Sequence, residues 1–299
     1  MYSYMLEVVN FYKFTPLSED KYKALHRWAF THATDLGLQG SILIGSEGVN
    51  GSLCGESEKL RNFIEAIRLE LNVDTVEPKF APTAKPAFVR LRVNFTSEIV
   101  TARLPFEFEK QDQSKYLSPS EWQEVLDREN PVVLDTRNWY ETKIGKFATA
   151  IDPDITMFTE FDKYLEKFEV PKDEKILIYC TGGIRCEKAT QIMTRHGFNN
   201  VYQLHGGILS YLKEFPNRSF DGECFVFDRR IAVDQNLNPS ERYKLCACCG
   251  DPAERPYPCS VCGKTTHICE LCDGKDWSFC SKTCRDRSRH LHKKQAVIA

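Results

Sequence analysis

A short apolar run in the middle of the chain leads directly into a cysteine, a glycine pair and an arginine. Residues 175–186 read KILIYCTGGIRC, and the run Ile176–Tyr179 shows no polar alternation. Such a run predicts a parallel strand that is covered on both faces. Apolar residues then recur at helical spacing as far as Met193, and Gly197 predicts the helix end. The segment therefore predicts a strand, a tight loop and a helix.

The loop that begins at Cys180 has the composition of a thiolate site. Backbone N–H groups that turn into a helix N-terminus form a positive nest, which lowers the pKa of a thiol at its centre. We predict a nucleophilic Cys180 with Arg185 as its catalytic partner. The alternative, an inert buried cysteine before an ordinary turn, fits the following glycine pair and arginine less well. The active-site loop then comprises Thr181, Gly182, Gly183 and Ile184.

This loop resembles the active-site loop of the rhodanese family, and two other segments carry the same resemblance. Asp135, Arg137 and Glu141 match the family's Asp-x-Arg-x-x-x-Glu segment, and residues 201–208, VYQLHGGI, resemble its closing strand and turn. Rhodanese loops of this size suit a sulfur-sized group, whereas related phosphatase loops are longer. The resemblance implies a rhodanese-like α/β domain and argues against a phosphatase.

Three further residues are candidate supports for the loop. Asp135 and Arg137 could form an ion pair beside it, in either a framework or a catalytic role. Cys186 is either a thiol that resolves an oxidised Cys180 or an ordinary residue of the first helical turn. The sequence leaves both pairs of alternatives open.

Composition and charge are those of an ordinary soluble globular protein. The chain has 299 residues, 42% hydrophobic and 27% charged residues and a net charge of −2. The bulk charge therefore gives no indication of polyanion binding, and no apolar run is long enough to span a bilayer. Met1–Tyr4 lacks the basic region of a signal peptide. We expect a cytoplasmic protein without membrane contact.

Hydrophobic periodicity divides the chain into regions and predicts a multidomain α/β fold. Residues 1–103 have a βαββαβ order that predicts a ferredoxin-like α+β sandwich, and residues 104–117 are a linker candidate. Residues 118–216 open on the capping box Ser118–Glu121 and alternate strands with helices, which predicts a rhodanese-like parallel-sheet domain. Residues 217–299 form a Cys-rich C-terminal region.

The first predicted strand carries three aromatic residues, Phe11, Tyr12 and Phe14. Open sheets of this shape sometimes stack RNA bases on such side chains. Aromatic side chains are more often buried, so we expect these three in the core.

Four close pairs of cysteines mark the C-terminal region. Thiolates with two or three residues between them can bind one tetrahedral metal ion, and two such pairs complete a site. This spacing predicts two structural zinc ions, and cysteines that remain reduced as metal ligands indicate a reducing compartment. The spacing leaves open whether adjacent pairs share an ion or whether alternate pairs do so in a cross-braced arrangement. The predicted ligands are Cys246, Cys249, Cys259, Cys262, Cys269, Cys272, Cys280 and Cys284.

Segments spread over nearly the whole chain resemble the bacterial tRNA uridine hydroxylases, which are rhodanese-domain proteins. These segments are residues 10–14 (NFYKF), 39–51 (QGSILIGSEGVNG), 180–188 (CTGGIRCEK) and 225–229 (FVFDR). The resemblance implies hydroxylation of the wobble uridine of tRNA at C5 with dioxygen, and it makes Cys180 the catalytic cysteine. The implied partners are the tRNA anticodon loop and dioxygen. The regular cysteine pairs depart from the family pattern, so the zinc prediction rests on their spacing.

Two other functions remain open on the residues alone. A sulfurtransferase would carry a persulfide on Cys180, and a non-catalytic RNA or protein adaptor would use the Cys-rich region. The sequence has no flavin fingerprint, iron facial triad or haem motif, so no cofactor is predicted for the oxygen chemistry. As a hypothesis for that chemistry, thiolate Cys180 adds to C6 of the uracil and the electron-rich C5 then reacts with dioxygen.

Overall fold

The computed structural model describes residues 6–273 and 279–296. Met1–Tyr4, on which the signal-peptide expectation rests, lies outside the described residues. None of the helices in the described ranges combines the length and the apolar character needed to traverse a bilayer. Two compact units make up the chain: Met1–Arg229 with Val233–Pro239, and Arg230–Ala232 with Ser240–Ala299.

The N-terminal domain of the first unit is a five-stranded sheet with two helices packed on one face. Its elements are β1 Leu6–Phe14, α1 Glu19–Asp35, β2 Gln39–Gly45, β3 Gly48–Glu56, α2 Ser57–Leu71, β4 Lys79–Thr83 and β5 Leu91–Phe95. The strand order is β4-β1-β3-β2-β5, with β5 parallel to β2 and the other neighbours antiparallel. The order βαββαβ confirms the predicted sandwich, and β5 extends its edge.

The two faces of β1 have different partners, because successive side chains of a strand point to opposite faces. Phe11 packs in the core beneath α1 and α2, with its ring centroid 6.1 Å from that of Phe63. Phe14 lies on the other face and stacks on Phe106 at 4.0 Å. Phe11 and Phe14 are therefore buried as expected, whereas Tyr12 is half-buried and packs, as Ile184 of the predicted loop does, against the cluster that contains Phe14.

The second domain is a parallel α/β sheet, as predicted. Its elements are β6 Tyr116–Leu117, α3 Pro119–Arg128, β7 Val132–Asp135, α4 Trp139–Thr142, β8 Gly145–Phe147, α5 Phe161–Leu165, β9 Ile176–Tyr179, α6 Ile184–Arg195, β10 Val201–Leu204 and α7 Gly207–Glu214. The main sheet has the order β6-β10-β9-β7, and every residue of β9 is buried. The capping box of Ser118 and Glu121 starts α3.

The segment 104–117, predicted as a linker, packs against α6. Glu107 and Gln191 exchange two hydrogen bonds, from the Glu107 N–H to Gln191 Oε1 at 3.0 Å and from Gln191 Nε2 to the Glu107 carbonyl at 2.8 Å. At its end Tyr116 and Leu117 join the sheet as β6 beside β10. Beyond α7, β11 Phe220–Gly222 pairs with β8.

The remaining strands are short, a single longer helix follows them, and the second unit has a small core. These elements are β12 Cys224–Phe225, β13 Ala232–Val233, β14 Lys244–Leu245, β15 Pro252–Ala253, β16 Arg255–Pro258, β17 Thr265–Ile268 and α8 Lys282–Ala296. Strands β14 and β15 form one hairpin, and β16 and β17 form another. Three of the five buried residues that form its hydrophobic cluster are cysteines: Cys246, Ala253, Ile268, Cys269 and Cys272.

A buried ion-pair cluster joins the N-terminal domain to α6. Lys188 Nζ lies 3.0 Å from Glu47 Oε2 and 2.6 Å from Glu98 Oε2, and Lys188 is 2% exposed. Glu47 Oε1 also accepts a hydrogen bond from the Ile99 N–H at 2.5 Å. Asn50 Nδ2 donates to the Ile99 carbonyl at 2.8 Å. Glu47 and Asn50 belong to the segment 39–51, which carries the resemblance to the hydroxylase family. This part of the segment therefore holds the N-terminal domain against α6, the helix that follows Cys180.

Replacing Glu47 with alanine is expected to lower the free energy of unfolding by about 3 kcal/mol, because Lys188 then keeps a buried charge with Glu98 as its remaining partner. Urea denaturation followed by tryptophan fluorescence measures the loss. The control is Glu19→Ala, which removes an exposed pair with Lys23 and should leave the urea midpoint unchanged. Equal losses in both variants would contradict a role for Glu47 as an interdomain clamp.

Candidate active site

Cys180 lies at the carboxyl end of β9, where parallel sheets place their ligands. The side chain is buried, and its Sγ accepts a hydrogen bond from the Gly183 N–H at 3.1 Å. Gly183 caps α6 with a φ of +100°, and a Cβ at this position would lie 2.8 Å from Tyr12 Oη. A side chain at residue 183 would therefore be strained and would collide with the N-terminal domain.

The surroundings of Cys180 favour its thiolate. Burial alone raises the pKa of Cys180, but a hydrogen bond from the Cys186 thiol, the charge of Arg185 and the first backbone N–H groups of α6 lower it to about 5. Burial and the hydrogen bond to Cys180 hold the pKa of Cys186 well above its usual value. The structure thus pairs an ionised Cys180 with a protonated Cys186, and both are within the same buried cluster.

A single carboxylate holds both sides of the loop. Arg185 Nη1 donates to Glu141 Oε2 at 2.5 Å, and Nη2 donates to Oε1 at 2.8 Å. Thr181 Oγ1 donates to the same Oε1 at 3.1 Å. Glu141 is fully buried, and a bidentate pair of this kind fixes the guanidinium in position. Arg185 therefore acts on Cys180 through its charge, while its hydrogen bonds go to Glu141 and Thr181.

Asp135 and Arg137 form an ion pair below the loop. Arg137 Nη2 lies 2.7 Å from Asp135 Oδ2 and donates a second hydrogen bond to the Gly145 carbonyl at 2.6 Å. Both side chains are fully buried, and the guanidinium carbon lies 5.6 Å from the ring centroid of Tyr179, the residue before Cys180. The contacts of this pair are those of a framework that ties β7 to β8.

The turn Gly206–Gly207 supports the loop from the neighbouring strand. The Ile208 N–H donates to the Cys180 carbonyl at 3.0 Å, and the Leu209 N–H donates to the Thr181 carbonyl at 3.1 Å. Gly207 has a φ of +66°, and a Cβ there would lie 2.5 Å from the Cys180 carbonyl oxygen. Gly207 of the closing Gly-Gly motif is therefore required by this close backbone approach.

Sequence reasoning missed a buried carboxylate on the first turn of α6. Glu187 accepts hydrogen bonds from Tyr12 Oη at 3.0 Å, Tyr116 Oη at 2.6 Å and Gln111 Nε2 at 3.2 Å. Burial raises the pKa of Glu187, although these hydrogen bonds oppose the shift. Tyr12 is 175 residues away in the chain, so no local pattern could reveal the contact. The only sequence signal was the presence of Glu187 in the segment that carries the family resemblance.

A lysine of the N-terminal domain also faces the site. Lys79 Nζ lies 4.7 Å from the ring centroid of Tyr12. Burial lowers the pKa of Lys79, and nearby negative charges, that of Cys180 among them, oppose the shift. His205 Nε2 lies 2.5 Å from Glu77 Oε2, which is a further contact between the same two domains. Both domains therefore contribute to the surroundings of Cys180.

The predicted metal ligands of the second unit form two groups. The Sγ atoms within each group all lie within 4.8 Å of one another, so each group could hold one metal ion. The first and third cysteine pairs share one group and the second and fourth share the other, which is the cross-braced alternative. The groups are Cys246, Cys249, Cys269 and Cys272, and Cys259, Cys262, Cys280 and Cys284.

The thiolate absorbance of Cys180 is expected to titrate with a midpoint of about 5, far below an ordinary thiol. The ultraviolet difference between the wild type and Cys180→Ala isolates this signal. Cys186→Ala removes a hydrogen bond to the thiolate and should raise the midpoint, whereas the control Cys54→Ala should not. A wild-type midpoint of about 8.5, that of a free cysteine, would contradict the assignment.

Three family models match the chain. A UPF0176 acylphosphatase-like domain matches residues 6–99, a rhodanese-like domain matches residues 118–214, and a model named Rhodanase C-terminal matches residues 221–285. Among solved structures, a rhodanese-like domain from Anabaena sp. is 16% identical and covers 36% of this chain and 79% of its own, with a TM-score of 0.32.

Curated relatives match across most of the chain. The tRNA uridine(34) hydroxylase of Bdellovibrio bacteriovorus is 42% identical over 281 residues, which cover 93% of this chain and 80% of the relative. The enzyme of the same name from Cytophaga hutchinsonii is 36% identical over 283 residues, which cover 93% and 89%. These matches confirm the resemblance found in the sequence: the chain belongs to the tRNA uridine(34) hydroxylase family.

Proposed function

We propose that this protein is an enzyme that hydroxylates C5 of uridine 34, the wobble uridine of tRNA. The observation that carries the proposal is the buried Cys180 thiolate, which accepts a hydrogen bond from the Gly183 N–H in a loop of the family's own sequence. A nucleophile with a pKa of about 5 is ionised at neutral pH without a separate base. The anticodon loop, dioxygen and a cytoplasmic location belong to the same proposal.

The first step is addition of the Cys180 sulfur to C6 of the uracil. The new S–C6 bond moves the electron pair of C5=C6 towards C5 and the O4 carbonyl, which gives an enolate. Lys79, whose Nζ lies over the ring of Tyr12, interacts electrostatically with the Cys180 thiolate and would favour this anion. Because uridine 34 is unpaired in its loop, bringing its base to the thiolate costs less than extracting a base from a duplex.

The second step joins C5 to dioxygen, and the enolate reduces it to a hydroperoxide on C5. Transfer of the outer oxygen to a thiol leaves a hydroxyl on C5 and oxidises that thiol to a sulfenic acid. Loss of the C5 proton and cleavage of the S–C6 bond then restore C5=C6 and release Cys180. Cys186, which is hydrogen-bonded to Cys180, is the neighbouring thiol that accepts the outer oxygen. A cellular thiol then reduces the sulfenic acid of Cys186 after each turnover.

Nucleoside mass spectrometry of total tRNA tests this function. Cells that contain the protein should contain 5-hydroxyuridine-type nucleosides, whereas cells without it or with Cys180→Ala should lose them. The control Cys54→Ala should retain them, because Cys54 lies in the N-terminal sheet. Persistence of these nucleosides in both altered strains would contradict the proposal. Cyanide-dependent cleavage of thiosulfate by the purified protein would then make sulfur transfer from a Cys180 persulfide the leading function.

We also propose that each cysteine group holds a structural zinc ion. A tetrahedral site with Zn–S bonds of about 2.3 Å separates its sulfurs by roughly 3.8 Å. Cys249 and Cys269 Sγ lie 3.5 Å apart, and Cys262 and Cys280 Sγ lie 3.6 Å apart, which fits this geometry closely. Four thiolates leave no open position on the metal, so the ions would stabilise the fold rather than bind substrate.

Metal analysis of the purified protein is expected to find two zinc ions per chain. Cys259→Ser breaks one group and should reduce the content to about one, because the two groups share no ligand. Cys248→Ser is the matched control, since Cys248 is a neighbouring cysteine outside both groups, and should retain two. A single ion or none in the wild type would contradict the two-site proposal, and so would iron.

A further inference from the structure

Phe227 is a large aromatic side chain left exposed close to the Cys180 loop. It is 61% exposed, whereas Phe225 and Val226 beside it are only 9% and 3% exposed. The Phe227 ring meets Phe225 edge to face, with centroids 5.0 Å apart and planes at 85°. Phe225 in turn packs on Tyr140 at 5.2 Å. Packing therefore supports the Phe227 ring from one side and leaves most of it open to a ligand.

The Phe227 ring is connected to the catalytic loop through Arg185. The guanidinium carbon of Arg185 lies 5.7 Å from the centroid of the Phe227 ring, within the range of a cation–π contact. Arg185 is itself fixed by Glu141 and ends the loop that begins at Cys180. The exposed ring therefore lies at the rim of the site at which the uracil would react.

The segment around Phe227 is also fixed in position. Cys224 and Val226 are buried in the core of the second domain, and the Arg229 N–H donates to the Ala87 carbonyl at 3.0 Å. These contacts hold the backbone on both sides of Phe227. A surface ring on such a backbone is preorganised, so binding a ligand loses little conformational entropy.

We propose that Phe227 is a stacking platform for the nucleobase next to the uridine that Cys180 attacks, an inference that rests on the proposed function. Bringing one base of a single-stranded loop to a thiolate separates it from its stacked neighbour, and an exposed aromatic ring replaces the lost partner. Single-stranded RNA is bound in this way, by bases that stack on aromatic side chains and on arginine. The platform explains why the Phe225–Arg229 segment keeps one large apolar side chain in solvent.

Steady-state kinetics on an anticodon stem-loop RNA test the platform. Phe227→Ala and Phe227→Leu should raise KM roughly ten-fold or more, with kcat within about two-fold of the wild type. Phe227→Tyr and Phe227→Trp keep a stacking ring and should retain the wild-type KM, which separates stacking from a general packing defect. Phe30→Ala removes another exposed phenylalanine, on α1, and should leave both constants unchanged.

Equilibrium binding in a Cys180→Ala background separates this inference from the proposed function. Phe227→Ala should weaken binding of the stem-loop by about the factor by which it raises KM. When the RNA has an abasic nucleotide on one side of uridine 34, the proteins with and without the Phe227 ring should bind it with equal affinity. A Phe227→Ala variant that binds and reacts like the wild type would overturn the platform alone. If the wild-type protein binds the RNA through Phe227 but makes no 5-hydroxyuridine, the proposed function is overturned, whereas Phe227 remains a site of RNA binding.

Discussion

The carboxylate of Glu141 holds the loop on which the chemistry depends. It is fully buried, and it accepts hydrogen bonds from Arg185 at one end of the loop and from Thr181 at the other. The pair keeps the guanidinium charge inside the protein, where it stabilises the Cys180 thiolate in a poorly screened environment. Removing the carboxylate would leave a buried, unpaired arginine, so the fold of the loop and the ionisation of Cys180 depend on the same contact.

The N-terminal domain completes this site rather than standing apart from it. Lys188 of α6 forms ion pairs with Glu47 and Glu98, and the neighbouring Glu187 accepts a hydrogen bond from the Tyr12 hydroxyl. The helix that follows the nucleophile is therefore anchored on its polar side by another domain. This arrangement explains how a rhodanese-type loop can serve a substrate much larger than a sulfur atom, since the N-terminal domain adds the positive charge of Lys79 and the aromatic ring of Tyr12 to the surroundings of the thiolate.

Features that depend on local sequence were predictable, and features that depend on distant contacts were not. The apolar run gave β9 with its observed bounds Ile176–Tyr179, and cysteine spacing gave all eight candidate metal ligands. The cross-braced pairing was not predictable, because it depends on how two hairpins and α8 fold together. Tyr12 was expected in the core, but it lies between two domains with its hydroxyl on Glu187, and periodicity along one strand cannot distinguish a core face from an interdomain face. The sequence identified Phe227 only as part of a segment that resembles the family, because the exposure of its side chain depends on how that segment packs.

The proposed mechanism depends on addition of the Cys180 thiolate to C6 of the uracil, and hydrogen exchange at C5 reports on this step. Without dioxygen the enolate has no oxidant, so it should take up a solvent proton at C5 and release Cys180 again. Incubation of unmodified tRNA with the protein in D2O under anaerobic conditions should therefore place deuterium on C5 of uridine 34, as read by mass spectrometry, and Cys180→Ala should abolish the exchange. If the same preparation hydroxylates uridine 34 when air is admitted but exchanges no hydrogen beforehand, thiolate addition is contradicted.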